Sequence, residues 1–248
     1  MFNIDKRIIY IILGVILATN LVTRINTREG LLVTLVTLPA ILIAITFHEF
    51  AHAFAADKLG DDTPRMQGRL TLNPFAHIDF VGFALLIVAG FGWGKPVQIN
   101  PVKFNRKVSM TKGEAIVSLA GPLMNFVLAI IGSIIMMLMF KFNWFSNIDR
   151  NGYGLIVTFL FEVILINVGL GIFNLIPLPP LDGSKIIKSI LPYNARNWFE
   201  RNEMIFYIVF VIIWVTGIAG LVISPAISGV SRGLLTIIAK IFGVDLVI

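Results

Sequence analysis

The chain has 248 residues, of which 57% are hydrophobic and only 14% charged, and its mean hydropathy is +0.88. Roughly a quarter of the residues of a soluble domain are charged, so this composition excludes an ordinary soluble domain and indicates an integral membrane protein. The absence of cysteine excludes disulfides and thiolate metal ligands, and the net charge of +6, without any nucleic-acid-binding motif, is typical of cytoplasmic loops rather than of nucleic-acid binding.

Apolar blocks that approach the length of about 20 residues needed to cross a bilayer define the predicted helices. The first covers residues 8–22, and because no clean signal-peptide cleavage site follows, we expect it to be retained. The next spans are expected at residues 31–56, 115–140, 154–176 and 204–223. Residues 228–244 form a sixth span or an amphipathic interfacial helix. The predicted fold class is an all-α polytopic membrane protein with about six transmembrane helices.

The longest polar stretch, residues 57–111, separates the second and third predicted helices. Its apolar part, residues 81–92, is too short to span and predicts a membrane-associated hairpin or re-entrant segment. Short strands are expected on either side of it, at residues 69–72 and 96–99. We expect a single integral-membrane domain over residues 1–248, with a core at 31–190 and C-terminal helices at 204–248.

Positive residues are distributed unevenly between the loops on the two sides of the predicted spans. With the N-terminus in the cytoplasm, most Lys and Arg residues outside the spans fall on the cytoplasmic side, and the other side receives only Arg24, Arg28, Lys141 and Arg150. The positive-inside rule therefore favours a cytoplasmic N-terminus. The C-terminal ends of the second and fourth spans then emerge at the same cytoplasmic face, where their polar residues can meet.

The second predicted helix carries the sequence His48-Glu49-Phe50-Ala51-His52 near its C-terminal end. Residues four apart share one face of a helix, so His48 and His52 can present two imidazoles to one metal ion. Glu49 lies beside that face, where its carboxylate can accept a proton from the attacking water. These residue types at this spacing favour metal-assisted hydrolysis over a pair of histidines buried for structural reasons, because polar side chains inside an apolar helix are costly.

A catalytic zinc site needs a third protein ligand and one open position. His77 is one candidate, and Asp182 is the better one because it follows the fourth span at the face assigned to His52. The prolines before Asp182 break the helix at that point. Asp182 can also serve as the N-terminal cap of the following helix, and the two roles are compatible.

Three separated motifs, HEFAH, AGPLMN and NLIPLPPLDG, occur in this order over residues 31–190. This pattern resembles the site-2 protease family of intramembrane zinc metalloproteases, in its compact prokaryotic subgroup without PDZ or CBS domains. The resemblance implies that His48, His52 and Asp182 bind one Zn²⁺ per chain and that Glu49 is the catalytic base. It also places Asn125 at the asparagine of the family's GPxxN motif, as a further catalytic residue.

The amide of Asn125 has two possible roles. It can donate to an oxyanion or hold a substrate strand, or it can bridge two membrane helices. Asn167 and Asn174 can likewise orient ligands or bridge helices. A membrane-associated strand at residues 96–99 could pair with an unwound substrate by strand addition. Glu162 is expected near the outer end of the fourth span.

The resulting functional hypothesis is a cell-membrane, multi-pass endopeptidase for regulated intramembrane proteolysis, with its active site towards the cytoplasm. Its expected partners are a transmembrane protein or peptide substrate and the lipid bilayer, and no nucleic acid. One alternative is a divalent-metal transporter, and another is a non-catalytic membrane scaffold. Glu49 separates these hypotheses, because metal transit has no specific need for a base next to the first ligand.

Overall fold

The structure is a computed structural model that describes residues 19, 22, 26–89 and 94–245, with the backbone alone for residues 85–89 and 215. The predicted first helix, residues 8–22, therefore lies almost entirely outside the described residues. The described helices are α1 (Arg28–Lys58), α2 (Thr63–Met66), α3 (Phe80–Ala89), α4 (Met110–Lys141), α5 (Arg150–Asn174), α6 (Asp182–Ile190), α7 (Tyr193–Arg201), α8 (Glu203–Val215) and α9 (Ile218–Phe242), with 3₁₀ turns at Pro74–Ala76 and Pro101–Lys103.

Four of these helices, α1, α4, α5 and α9, are long and apolar enough to cross a membrane. At 1.5 Å per residue each exceeds the roughly 30 Å thickness of the hydrocarbon core. The first three confirm the predicted spans 31–56, 115–140 and 154–176. Each begins at a residue whose side chain accepts a hydrogen bond from the first turn, at Thr27, Ser109 and Asp149 respectively.

The C-terminal part of the chain differs from the prediction. The expected span 204–223 is wrong in its bounds, because the chain breaks after Val215 and a new helix begins at Ile218. Thr216 turns its hydroxyl back to the carbonyl of Ile212, and Gly217 adopts a left-handed φ of 74° that a helix interior does not use. α8 alone, with 13 residues, is too short to span a membrane. The expected segment 228–244 forms the C-terminal part of the longer helix α9, which ends at Phe242.

The segment between α1 and α4 also differs from the prediction. Neither residues 69–72 nor residues 96–99 form a strand, and within the described ranges the only strand-like pairing is one antiparallel bridge between Ile78 and Gly94. Residues 81–89 of the apolar part belong to the helix α3 and do not form a strand, and residues 90–92 lie outside the described residues. Side-chain contacts and isolated backbone hydrogen bonds replace the expected strand ladder.

The core of the molecule is formed by α1, α4 and α5, which pack against one another, with α9 against α4 and α5 and with α6 against α4. Apolar side chains fill the contact between α4, α5 and α9, including Ala129, Met137, Ile164 and Val168. Large apolar side chains such as Ile131 point outwards from α4, as expected of a surface that faces lipid. The ends of α1 and α5 meet in this core, and the polar residues lie at that meeting point.

Candidate metal centre and active site

The two histidines of α1 lie on the face that packs against α4. Both are buried, with 7% of their surface exposed, and their rings meet edge to face with centroids 4.6 Å apart. Their Nε2 atoms are 3.0 Å apart. The i, i+4 spacing therefore brings two nitrogen atoms to one point, as the sequence predicts.

Asp182 reaches the same point from the end of α5. The chain leaves that helix at Leu175 and runs through a proline-rich turn, which contains a cis peptide bond between Pro179 and Pro180. Asp182 is the first residue of α6, whose N-cap is Leu181 and which has no side-chain cap. The carboxylate is therefore not used as a helix cap, and its Oδ2 lies 3.2 Å from the Nε2 atom of each histidine.

The three atoms form a nearly equilateral triangle with edges of 3.0, 3.2 and 3.2 Å. A tetrahedral zinc ion with ligand bonds of about 2.0 Å holds its ligand atoms roughly 3.3 Å apart. The donor set His48, His52 and Asp182 is the group in the described residues that could hold a metal ion, and it fits zinc in size and chemistry. Three protein ligands leave one tetrahedral position for water or substrate.

The electrostatic surroundings of Asp182 favour its ionised carboxylate. Burial raises the pKa of Asp182, but the imidazoles of His52 and His48 outweigh it, so that the pKa lies below its ordinary value. The position of Asp182 in the first turn of α6 acts in the same direction, because the N-terminal end of a helix attracts negative charge. The residue is therefore held in the anionic form that a metal ligand requires.

Both histidine rings are oriented by oxygen acceptors at Nδ1, the nitrogen that does not face the triangle. The Nδ1 atom of His52 lies 2.7 Å from the carbonyl oxygen of Val117, and Nδ1 of His48 lies 2.6 Å from Oδ1 of Asn125. A carbonyl oxygen can only accept, so Nδ1 carries the proton in each ring. In the neutral rings that bind a metal, both Nε2 lone pairs are therefore directed into the triangle, as is usual for metal-ligating histidines.

The orientation of the Asn125 amide follows from its other partners. Its Nδ2 donates to the carbonyl of Ala44 at 3.1 Å and to Oδ1 of Asn167 at 2.9 Å, while Asn167 donates to the carbonyl of Val163. Both amide hydrogens of Asn125 are used, and its oxygen faces His48. This geometry matches the helix-bridging alternative for Asn125 and leaves no hydrogen for an oxyanion.

The close approach of α4 to the histidines depends on Gly121. A Cβ atom at this position would lie 2.4 Å from Nε2 of His52 and 2.6 Å from Cε1 of His48. Real Cβ atoms do not approach other heavy atoms this closely, so any side chain here would displace the two rings. Sequence reasoning assigned no role to Gly121, although the motif AGPLMN contains it.

A cavity of about 460 Å³ opens beside the metal centre. Its lining includes His48, Glu49, His52 and Asp182, together with four residues of the segment before α4, Gly94, Pro96, Val97 and Ile99. Its walls are mostly apolar, which lowers the local dielectric constant and strengthens electrostatic interactions at the centre. Asn125 is not among the described residues that line the cavity.

Glu49 has a partner that sequence reasoning missed. Its Oε2 accepts a hydrogen bond of 2.9 Å from the backbone N–H of Val97. No residue type signals this contact, because any residue except proline carries a backbone donor.

The remaining candidate residues lie elsewhere. His77 is fully buried, and its Nε2 lies 2.8 Å from the carbonyl of Thr71, so its ring is not part of the metal centre. Asn174 lines the cavity and donates to the carbonyl of Leu170. Glu162 lies near the middle of α5, not near its outer end as expected.

Four apolar helices around a buried His-His-carboxylate centre, with a glutamate beside it, define the class of membrane zinc metalloproteases. Comparisons with known proteins agree with this class. The sequence profile of peptidase family M50 matches residues 36–154 and 149–216. The chain belongs to peptidase family M50, the site-2 protease family.

Named relatives carry the same description. Two of them, YwhC and Rip2, are called "Putative zinc metalloprotease". YwhC of Bacillus subtilis (strain 168) is 38% identical over 202 residues, which cover 82% of this chain and 90% of YwhC. Rip2 of Mycolicibacterium smegmatis is 31% identical over 198 residues, 75% of this chain and 66% of Rip2. "Zinc metalloprotease MJ0392" of Methanocaldococcus jannaschii is 28% identical over 151 residues, 61% of this chain and 33% of that protein. No solved structure matches the chain.

Proposed function

We propose that this membrane zinc metalloprotease is an intramembrane endopeptidase that cuts peptide bonds within or beside transmembrane segments of other membrane proteins, as in regulated intramembrane proteolysis. The observation that carries the proposal is the triangle of His48 Nε2, His52 Nε2 and Asp182 Oδ2, with edges of 3.0 to 3.2 Å, at the wall of a cavity that also contains Glu49. One zinc ion per chain is held by these three residues.

Each residue of the centre has a separate role in the proposed reaction. Zinc at this position supplies Lewis-acid chemistry for attack on the scissile carbonyl. Glu49 accepts the proton of the attacking water and passes it to the leaving amine. Asn125 acts through His48, by fixing the ring and its tautomer, and is a positioning residue and not a catalytic one.

The substrate must expose its peptide carbonyl to the centre. A transmembrane helix hides its carbonyls in intrahelical hydrogen bonds, so the substrate has to unwind locally. The cavity is apolar except around the centre, which suits an unwound apolar segment. We therefore expect substrates with helix-breaking residues near the cleaved bond.

The proposed placement in the cell follows from the charge distribution. The protein is multi-pass in the cell membrane, its N-terminus is cytoplasmic, and the ends of α1 and α5 carry the active site towards the cytoplasm. Residues 1–248 act as one membrane domain, with a core at 31–190. A lipid bilayer and a transmembrane substrate are its partners.

The variant Glu49→Gln tests the proposed reaction. We expect it to lower cleavage about 10²–10⁴-fold, which is the usual contribution of a general base, while zinc content stays unchanged. Membrane fragments from cells that produce wild-type or variant protein are compared by proteomics, and bound zinc is measured in the purified proteins. Glu200→Gln, at an exposed glutamate of α7, is the matched control and should cleave as the wild type does.

The same experiment separates the alternative functions. If Glu49→Gln produces the same membrane fragments as the wild type, the endopeptidase proposal is wrong. Zinc uptake into vesicles that contain the protein, unaffected by Glu49→Gln, would support a transporter. Absence of both cleavage and uptake, with partners retained in the membrane, would support a scaffold.

A further inference from the structure

The segment of residues 94–99 forms one wall of the active-site cavity, and it contacts α1 at two places. The backbone N–H of Val97 donates to Oε2 of Glu49 at 2.9 Å. Three residues earlier, a Cβ atom on Gly94 would lie 2.9 Å from Cγ2 of Ile45 and 3.1 Å from the carbonyl oxygen of His77. The absence of a side chain at Gly94 is therefore what lets this segment approach α1 closely enough for the Val97 contact.

The N-terminal end of the segment is fastened by a buried arginine. Arg69 is only 6% exposed, and its guanidinium donates to the carbonyls of Ala76 and Lys95. The backbone N–H of Lys95 in turn donates to the carbonyl of His77 at 2.7 Å. Burying a charge is costly unless it is well hydrogen-bonded, so Arg69 is retained at this place for the contacts that it makes.

The C-terminal end is fastened by a buried carboxylate. Asp61 has no exposed surface, and its Oδ2 accepts from the backbone N–H of Asn100 at 2.6 Å while its Oδ1 accepts from Thr63. Two buried charges, one on each side, thus hold the ends of a short irregular segment. Val97 lies between them and makes the one backbone hydrogen bond of the segment to a side chain of the active site among the described contacts.

We propose that the backbone amide of Val97 is a positioning group for the general base, which holds the Glu49 carboxylate in the orientation required for proton transfer. The inference rests on the proposed function, because it assigns to Glu49 the role of base. A glutamate has three rotatable bonds, and a charge-assisted hydrogen bond to one oxygen restricts them while the second oxygen remains for the reacting water. A rigid supporting segment is what such positioning needs.

The test removes this one hydrogen without changing the side chains of the centre. Val97→Pro lacks the backbone donor, Val97→Ala keeps it, and Gln98→Pro places a proline one residue later, where the described structure shows no hydrogen bond of the backbone N–H. The probe is a synthetic apolar peptide of about 20 residues with a central Asn-Gly pair and a fluorophore–quencher pair, cleaved in detergent micelles. kcat, KM and bound zinc are measured for each variant.

We expect Val97→Pro to lower kcat about 10- to 100-fold, because it loses a hydrogen bond to a charged group. Its KM should stay within about 3-fold of the wild-type value, and its zinc content should be unchanged. Gln98→Pro, at a residue outside the cavity lining, should stay within about 3-fold of the wild type in both constants. Val97→Ala keeps the donor but shortens a side chain of the cavity wall, and it should lose less kcat than Val97→Pro. A role of residue 97 in binding alone would raise KM instead. If Val97→Pro does not fold, replacement of Val97 by its α-hydroxy acid removes the same hydrogen and keeps the side chain.

The outcomes separate this inference from the proposed function. If Glu49→Gln is inactive on the probe but Val97→Pro matches Gln98→Pro in kcat, the inference alone is overturned. If neither the wild type nor any variant cleaves the probe, or if Glu49→Gln cleaves it as the wild type does, the proposed function fails and the inference fails with it. A double variant, Glu49→Asp with Val97→Pro, adds a further check: the shorter carboxylate does not reach residue 97, so the proline should cost less than about 3-fold there.

Discussion

Two of the walls of the active-site cavity are built in different ways. The helix wall, formed by α1 and α4, presents side chains: His48 and His52 lie on one helical face, and Asn125 supports one of them from the next helix. The segment wall, residues 94–99, presents backbone: an N–H of Val97 contacts Glu49, and no regular secondary structure supports it. One wall supplies the reactive groups and the other holds one of them in place.

The two walls are also stabilised differently. The helix wall uses the periodicity of the α-helix and two buried amides, Asn125 and Asn167, whose side-chain nitrogens both donate to oxygen acceptors. The segment wall uses two buried charges, Asp61 and Arg69, whose partners are backbone groups. We infer that damage to the helix wall should affect metal binding, whereas damage to the segment wall should affect turnover with the metal still bound.

The largest effect is expected from Gly121→Ala in the helix wall. Its Cβ would lie 2.4 to 2.6 Å from ring atoms of His48 and His52, so the rings must move and the triangle of ligand atoms opens. We expect zinc affinity to fall by more than about 100-fold and cleavage to be lost with it. Competition with a zinc chelator measures the affinity, and circular dichroism checks that the helices remain.

A matched control for this variant is available in α9. Gly229 also lies inside a long helix, but no atom stands within 4 Å of a Cβ placed there. Gly229→Ala should therefore leave zinc affinity unchanged and stabilise the helix slightly. Wild-type zinc binding by Gly121→Ala would show that α4 does not need to approach the histidines this closely.

Asn125→Ala should have the next largest effect. It removes the acceptor of the His48 Nδ1 hydrogen, and it also removes the donor to the carbonyl of Ala44 and to Oδ1 of Asn167. Loss of such an outer partner typically weakens metal binding about 10- to 100-fold. Ser133→Ala, at an equally buried polar residue of α4 that bonds only to its own helix, is the control and should stay within about 2-fold.

The same variant decides between the two roles that the sequence allows for Asn125. A positioning role predicts weaker zinc binding, with turnover restored when zinc is added in excess. A direct role at an oxyanion predicts unchanged zinc binding and a low kcat that excess zinc does not restore. The second result would contradict the orientation of the amide towards His48.

The comparison of the walls explains how far the sequence could predict the site. His48 and His52 are predictable because helical spacing fixes which side chains share a face, and Asp182 because charge bias places the ends of two spans on one side. The structure brings these three residues together. Gly121 and the Val97 N–H were not predictable in this way, because their contribution is a missing side chain and a backbone group, which leave no pattern in residue types.

The fold also has parts that the sequence predicts and parts that it does not. Apolar length alone predicts α1, α4 and α5 to within a few residues, whereas the end of α8 is set by Gly217, a single residue inside an uninterrupted apolar run. Strands at 69–72 and 96–99 were expected from local composition, but a strand needs a partner along its whole length. Here the only described pairing is at Ile78 and Gly94, and side chains hold the rest.

The smallest expected effect concerns an exposed ion pair outside the segment wall, between the start of α2 and the 3₁₀ turn Pro101–Lys103. Asp62, at the start of α2, pairs with Lys103, and the hydrogen bond from this lysine keeps the pKa of Asp62 below its ordinary value of 3.8. A lowered pKa means that the pair stabilises the fold above pH 3.8 and that this contribution disappears as the pH falls through the lower value of the folded protein. Because the pair is exposed, its contribution is small and screened by salt. We expect Asp62→Asn to lower Tm slightly at pH 7, with the difference from the wild type shrinking as the pH falls below 3.8 and in about 1 M salt. A difference in Tm that persists under both conditions would mean that Asp62 acts through packing or helix capping and not through its charge.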